Sequence, residues 1–159
     1  MKNKQHIPVL IAEIHDELSK LNKLVDKLAK QKQLDKDEES LDSAALRLHN
    51  FYTGCERIFK LIASDVNDYV PDSWDWHKRL LTQMSLELEG IRPAVISEIV
   101  RNDLQELLAF RHIVRNIYGY ELDQKRVEHL VTLTKATFPN FVNDIKKFIE
   151  YLRDLLKEL

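Results

Sequence analysis

The chain has 159 residues, a length that suits one domain over 1–159 with a core of its own and needs neither disulfides nor a metal to staple it. Its 24 Lys and Arg against 26 Asp and Glu leave a net charge of −2, which excludes whole-molecule attraction of a polyanion, so any phosphate-binding site must be local. With 3 Gly, 4 Pro and a single cysteine, disulfide-rich and loop-rich scaffolds are excluded and an all-α fold is indicated.

From Val9 to Ala29 the residues Ile11, Ile14, Leu18, Leu21, Val25 and Leu28 recur at three- and four-residue steps, the pattern of a helix with one apolar stripe. The polar stretch Lys30 to Glu39 interrupts it. Leu41, Ala45, Leu48, Tyr52, Cys55, Phe59 and Ile62 then restart it as a second long helix, antiparallel to the first, with Cys55 among the core residues. A loop at Asn67 to Pro71 precedes Asp72 and Ser73, whose side-chain oxygens suit the cap of a short third helix from Trp74 to Leu88. Gly90 suits the stop of that helix, and Pro93 the first turn of a fourth that runs to about Tyr118. Gly119 can end the fourth, Asp123 can cap a fifth, and Pro139 is the one break or kink expected before Leu159. The expected architecture is an up-and-down bundle of four to five helices.

The fourth helix carries the most informative residues. At about 100° per residue, Val100, Leu104, Leu107 and Leu108 share a face with Arg111, Arg115 and Tyr118, so one stripe changes from apolar to cationic. Phe110, Ile113, Val114 and Ile117 form a separate arc that can hold this half of the helix on the bundle and free the arginines. His112 and Asn116 flank the Arg arc one turn apart. Guanidinium forks match phosphate oxygens, and an imidazole exchanges a proton near neutral pH, so the set suits RNA binding and metal-free cleavage. The competing reading of the same spacing is structural: Arg111 and Arg115 pair with Glu106 or with carboxylates on neighbouring helices.

The run Arg111-His112-Ile113-Val114-Arg115-Asn116-Ile117-Tyr118 resembles the motif of the HEPN family, and above all of HepT-like toxins that partner minimal nucleotidyltransferases: Arg, four residues, His, one residue, Tyr. Asp72-Ser73-Trp74-Asp75-Trp76-His77, Arg92-Pro93-Ala94-Val95 and Tyr120-Glu121-Leu122-Asp123 extend the resemblance over about Leu46 to Leu130. It implies a HEPN-like bundle, a homodimer and a metal-independent endoribonuclease toxin of a toxin-antitoxin pair, in which a ribose 2′-hydroxyl attacks the adjacent phosphate in a cleft shared by two protomers. It also implies a cognate nucleotidyltransferase antitoxin that adds adenylyl groups to the motif tyrosine, here Tyr118. Asn116 departs from the pattern, standing where the motif has histidine. An amide has no accessible pKa, which leaves His112 as the neighbouring base while Arg111 and Arg115 would stabilise the phosphorane and Asn116 orient it. The rival outcome is a catalytically inactive RNA-binding or protein-interaction module of the same fold. A third is an unrelated bundle with structural arginines.

Other candidates carry less. Trp74, Trp76 and His77 with Lys78 and Arg79 form an aromatic and basic run that can stack on single-stranded bases, although anchoring the helix start explains it more simply. The six histidines include no three- or four-residue pair, so no metal site and no cofactor are expected. No Gly-rich phosphate loop, nucleophile elbow or paired-carboxylate motif occurs. The polar start Met1 to His6 and the lack of a long apolar run lead to the expectation of a cytoplasmic protein without a membrane segment.

Overall fold

The computed structural model describes residues 4–31, 38–115 and 122–158, with the side chain of Arg115 outside that description. Among the described residues five α-helices follow one another: α1 (His6–Lys30), α2 (Glu38–Ile62), α3 (Trp76–Met84), α4 (Glu98–Arg115) and α5 (Gln124–Glu158). The four long ones form an up-and-down bundle. Leu21 lies over Gly54 and Gln31 reaches Arg47, so α1 and α2 run antiparallel. Asp144 reaches Ser97 and Glu106 reaches His129, so α4 and α5 do as well.

The apolar stripes of the sequence become one continuous core. Ile14, Leu18, Leu21, Val25 and Leu28 of α1 are buried, as are Leu48, Phe51, Tyr52, Cys55, Phe59 and Ile62 of α2. Phe51 and Phe59 meet Phe138 and Phe141 of α5 edge to face, with ring centroids 6.0 Å apart in both pairs, an arrangement that opposes ring edge to ring face. α1 and α2 approach closely because Gly54 has no side chain: a Cβ there would stand 2.5 Å from a Leu21 methyl carbon.

Several helix ends fall elsewhere than the sequence suggests. α2 runs straight into a π-helical turn, Ala63–Asn67, closed by Asp68 at a positive φ of 55°. α3 is shorter at both ends than Trp74 to Leu88. The hydroxyl of Ser73 donates to the Asp75 carboxylate instead of capping a helix that starts at Trp74. At the other end, Val95 and Ile96 donate backbone N–H groups to the Met84 carbonyl, and the chain turns back at Gly90, whose φ is +75°. Pro93 lies in this connection, not in the first turn of α4. Ser97 caps α4, with its Oγ accepting from the N–H of Val100 and its own N–H donating to Asp144 of α5. Asp123 caps α5 as expected, accepting from Lys125 and Arg126. Pro139 sits inside α5 and does not end it.

Arg92 organises the α3–α4 connection. It is 3% exposed, and its guanidinium donates to Asn67 Oδ1, to the carbonyls of Leu86 and Pro93, and to the carbonyl of Gln83 at the end of α3. Burial lowers its pKa from the ordinary arginine value. Together these bonds fix the end of the short helix, and the connection that follows it, against the π-helical turn after α2.

Replacing Gly54 by Val should cost about 1–3 kcal/mol, because a branched side chain must displace a packed Leu21 rather than a single methyl. Urea unfolding followed by circular dichroism checks this; an unchanged midpoint would contradict the close α1–α2 contact.

Candidate functional site

α4 brings its second half past α2 and α3. Val100, Leu104, Leu107 and Phe110 are buried in the core, but Ile113 is 40% exposed. The arc expected to hold this half of the helix is therefore only partly inward, and Arg111 takes the inward place instead. The reason is Glu56 of α2, a carboxylate 3% exposed in a core-facing stripe between Tyr52 and Phe59. Its Oε1 lies 3.3 Å from Arg111 Nη1, and its Oε2 lies 2.6 Å from Nδ1 of His77 on α3. One carboxylate thus ties three helices together.

The tautomer of His77 follows from this arrangement. Arg111 Nη1 is 2.7 Å from the same Nδ1, and a single ring nitrogen cannot both donate to the carboxylate and accept from the guanidinium. An ionised carboxylate only accepts, so a 2.6 Å contact requires Nδ1–H. The guanidinium and the imidazole are close because each donates to one oxygen of the same carboxylate. His77 then carries its basic lone pair on Nε2.

Above this buried anchor opens a cleft of about 600 Å³ lined by Trp74, His77, Lys78, Leu108, Arg111 and His112, with Asp75, Gln105 and Ala109 completing its rim. Trp74 is 94% exposed, so its ring faces solvent, while Trp76 is half-buried under the Lys60 ammonium, 4.0 Å from its ring centroid. Of the aromatic run, Trp76 does the anchoring and Trp74 does not. Asp75, held by Ser73 and then by Arg79, has its carboxyl below the usual carboxylate range.

Of the residues singled out in the sequence, Arg111 and His112 line the cleft together. Arg115 ends the described part of α4, its side chain outside the description, and Asn116 and Tyr118 lie outside the described residues. Arg111 is also ion-paired to a neighbouring helix, as the structural reading of the spacing expected, but with Glu56 rather than Glu106, which instead meets His129 of α5. Glu56 and the participation of His77 were missed. The signal for Glu56 was present, since a lone acidic residue on an apolar helical stripe demands a buried partner.

Burial shapes two further groups beside this carboxylate. Cys55 is fully buried and its thiol is pushed well above the ordinary value by desolvation, consistent with a core residue. The Tyr52 phenol is also pushed well up, by burial first and by Glu56 next, with Arg111 opposing. Among the described residues its hydroxyl has no hydrogen-bond partner. No group of three or more metal-ligating side chains occurs among the described residues, and no described helix is long and apolar enough to cross a membrane.

Residues 43–152 match the family model described as HepT-like protein. A solved structure described as "Crystal structure of the toxin-antitoxin with AMP-PNP" is similar to the chain at 21% identity and a TM-score of 0.63, covering 87% of this chain and 98% of that one, a likeness of fold. No curated protein matches.

Two outcomes follow from the anchor. Glu56→Ala should lower stability by about 3 kcal/mol, because it leaves Arg111 inward without its counter-charge, and Glu56→Gln should cost less; chemical unfolding of the two variants checks the order. Tyr52 holds its proton in the fold at pH values where the unfolded chain releases it. Its contribution is therefore complete below about pH 10 and is lost as pH rises through the higher folded value. Tyr52→Phe should flatten the alkaline decline without destabilising the protein at pH 7, and a stability profile from pH 8 to 11 would show it.

Proposed function

Taking as premise that the chain belongs to the HepT-like family, we propose that it is the toxin of a toxin-antitoxin pair, a metal-independent RNA endonuclease whose substrate enters the α3–α4 cleft. The observation that carries this is the meeting of a guanidinium, an imidazole and an exposed indole in one cleft of an otherwise weakly acidic protein. Each suits one part of RNA. Arg111 keeps Nη1 on Glu56, and the rest of its guanidinium fork would meet a phosphate oxygen. Trp74 presents a ring on which an unpaired base can stack, and Lys78 adds positive charge beside it.

In this reading the ribose 2′-hydroxyl attacks the adjacent phosphorus, Arg111 and Arg115 stabilise the charge that grows on the phosphorane, Asn116 orients it, and His112 exchanges a proton. The protein works as a homodimer over 1–159, in the cytoplasm. Its antitoxin is a nucleotidyltransferase that silences it by adenylylating Tyr118, which adds negative charge to a residue of the motif. The similar toxin-antitoxin structure contains AMP-PNP, an ATP analogue, which supports a partner that handles such a nucleotide.

A specific observation favours a second reading. The motif histidine is Asn116, so a silent RNA-binding relative of the same fold is the alternative.

The test is cleavage of a labelled RNA pool in chelator. Wild type should cut, and Arg111→Ala and His112→Ala should lower the rate by about 10²-fold or more. Cutting that appears only in Asn116→His would establish the silent relative instead. Separately, Trp74→Ala should weaken binding of single-stranded RNA by about 5- to 100-fold while leaving the unfolding midpoint unchanged, because the ring is solvent-exposed; filter binding reads it.

A further inference from the structure

The Glu56–His77 pair has a shape that a purely structural ion pair does not need. Glu56 is buried and holds the imidazole by Nδ1 at 2.6 Å, yet the His77 side chain is 24% exposed and lines the cleft beside Arg111 and His112. A carboxylate that accepts from Nδ1–H fixes the tautomer, orients the ring and stabilises the imidazolium that forms when Nε2 takes a proton.

We propose that His77, oriented by Glu56, is a second proton-exchanging residue of this cleft and takes the ribose 2′-hydroxyl proton, the role for which Asn116 is chemically unfit. The proposal rests on the ribonuclease reading and adds a residue from outside the motif helix. The step balances without a co-reactant. Nε2 of His77 accepts the 2′-hydroxyl proton, O2′ bonds to phosphorus, the bond from phosphorus to O5′ breaks, and His112 gives a proton to that leaving oxygen. The products are a 2′,3′-cyclic phosphate and a 5′-hydroxyl end. Two imidazoles on different helices thus divide the work of base and acid.

The charges around His77 allow this. Glu56 faces it from α2, and Arg111 and His112 line the same cleft from α4, while Asp75 just before α3 and Lys78 on α3 flank it and Lys60 of α2 stands over the adjoining Trp76 ring. Glu56 and Arg111 offset one another, so the ring sits beside an ion pair rather than beside a lone charge. Trp76, its ring centroid 3.5 Å from that of His77, limits how far the imidazole can turn.

The experiment uses the full-length chain and two RNA substrates, one ordinary and one with sulfur in place of the 5′ bridging oxygen, whose leaving group needs no proton. His77→Ala should lower cleavage of both by about 10²- to 10⁴-fold, whereas His112→Ala should lower only the ordinary one. A 2′-deoxy analogue should bind wild type and His77→Ala equally, and added imidazole should restore part of the activity to His77→Gly, which a merely structural histidine would not permit. Cleavage by His77→Ala within a few-fold of wild type overturns the proposal and leaves the ribonuclease reading intact. A wild type that is silent while Asn116→His cuts also overturns it, because His77 then fails to act as the base in the natural chain. If neither wild type nor Asn116→His cuts either substrate, the ribonuclease reading fails and this assignment fails with it.

Discussion

The buried carboxylate of Glu56 is the interaction on which the rest of the site depends. A charge taken out of water is tolerated only if its oxygens are fully engaged, and here one is met by Arg111 from α4 and the other by His77 from α3. The requirement works in both directions. It draws the motif arginine inward, away from solvent, and it fixes where a nine-residue helix lies against two long ones. The cleft exists between α3 and α4 because both lean on the same point of α2.

This explains why Arg111 does not stand free. Its helical spacing gives Arg111 a position in line with Val100, Leu104 and Leu107, and that line continues into the core. An arginine at such a position needs a counter-charge, and a guanidinium can spend one nitrogen on it while another serves a guest. Structural and functional roles are therefore not alternatives for this residue. The ion pair that would favour an unrelated bundle, were it found alone, is here part of a HepT-like protein's cleft wall.

The long helices were legible because their stripes are dense and regular: Leu18, Leu21, Val25 and Leu28 leave no other period for α1. The short helix was not. Asp72 and Ser73 look like caps by residue type, yet Ser73 bonds to Asp75, and the true stop at Met84 depends on N–H groups of Val95 and Ile96 that arrive from eleven residues or more downstream. Pro93 misled for a similar reason, since its fixed φ suits a helix start as well as the connection it occupies. In the site, Arg111 and His112 could be chosen from one helix by spacing. His77 could not, because what singles it out is its bond to Glu56, 21 residues away on another helix. Local pattern finds residues that act from one element and misses those assembled across three.

Arg92 gives the molecule a property of another kind. A single guanidinium, bonded to three carbonyls and one amide, ties the end of the short helix to the connection that follows it, while Leu80, Leu81 and Met84 seat the same helix in the core. This wall of the cleft therefore has a polar fastening at one end that is distinct from its apolar seat. Among heat-sensitive alleles, those at Arg92 and Asn67 should yield chains that accumulate in folded form yet lose the shape of the cleft at raised temperature. If such alleles arose only in the core and always removed the protein from the cell, the wall would prove to be no weaker than the bundle behind it.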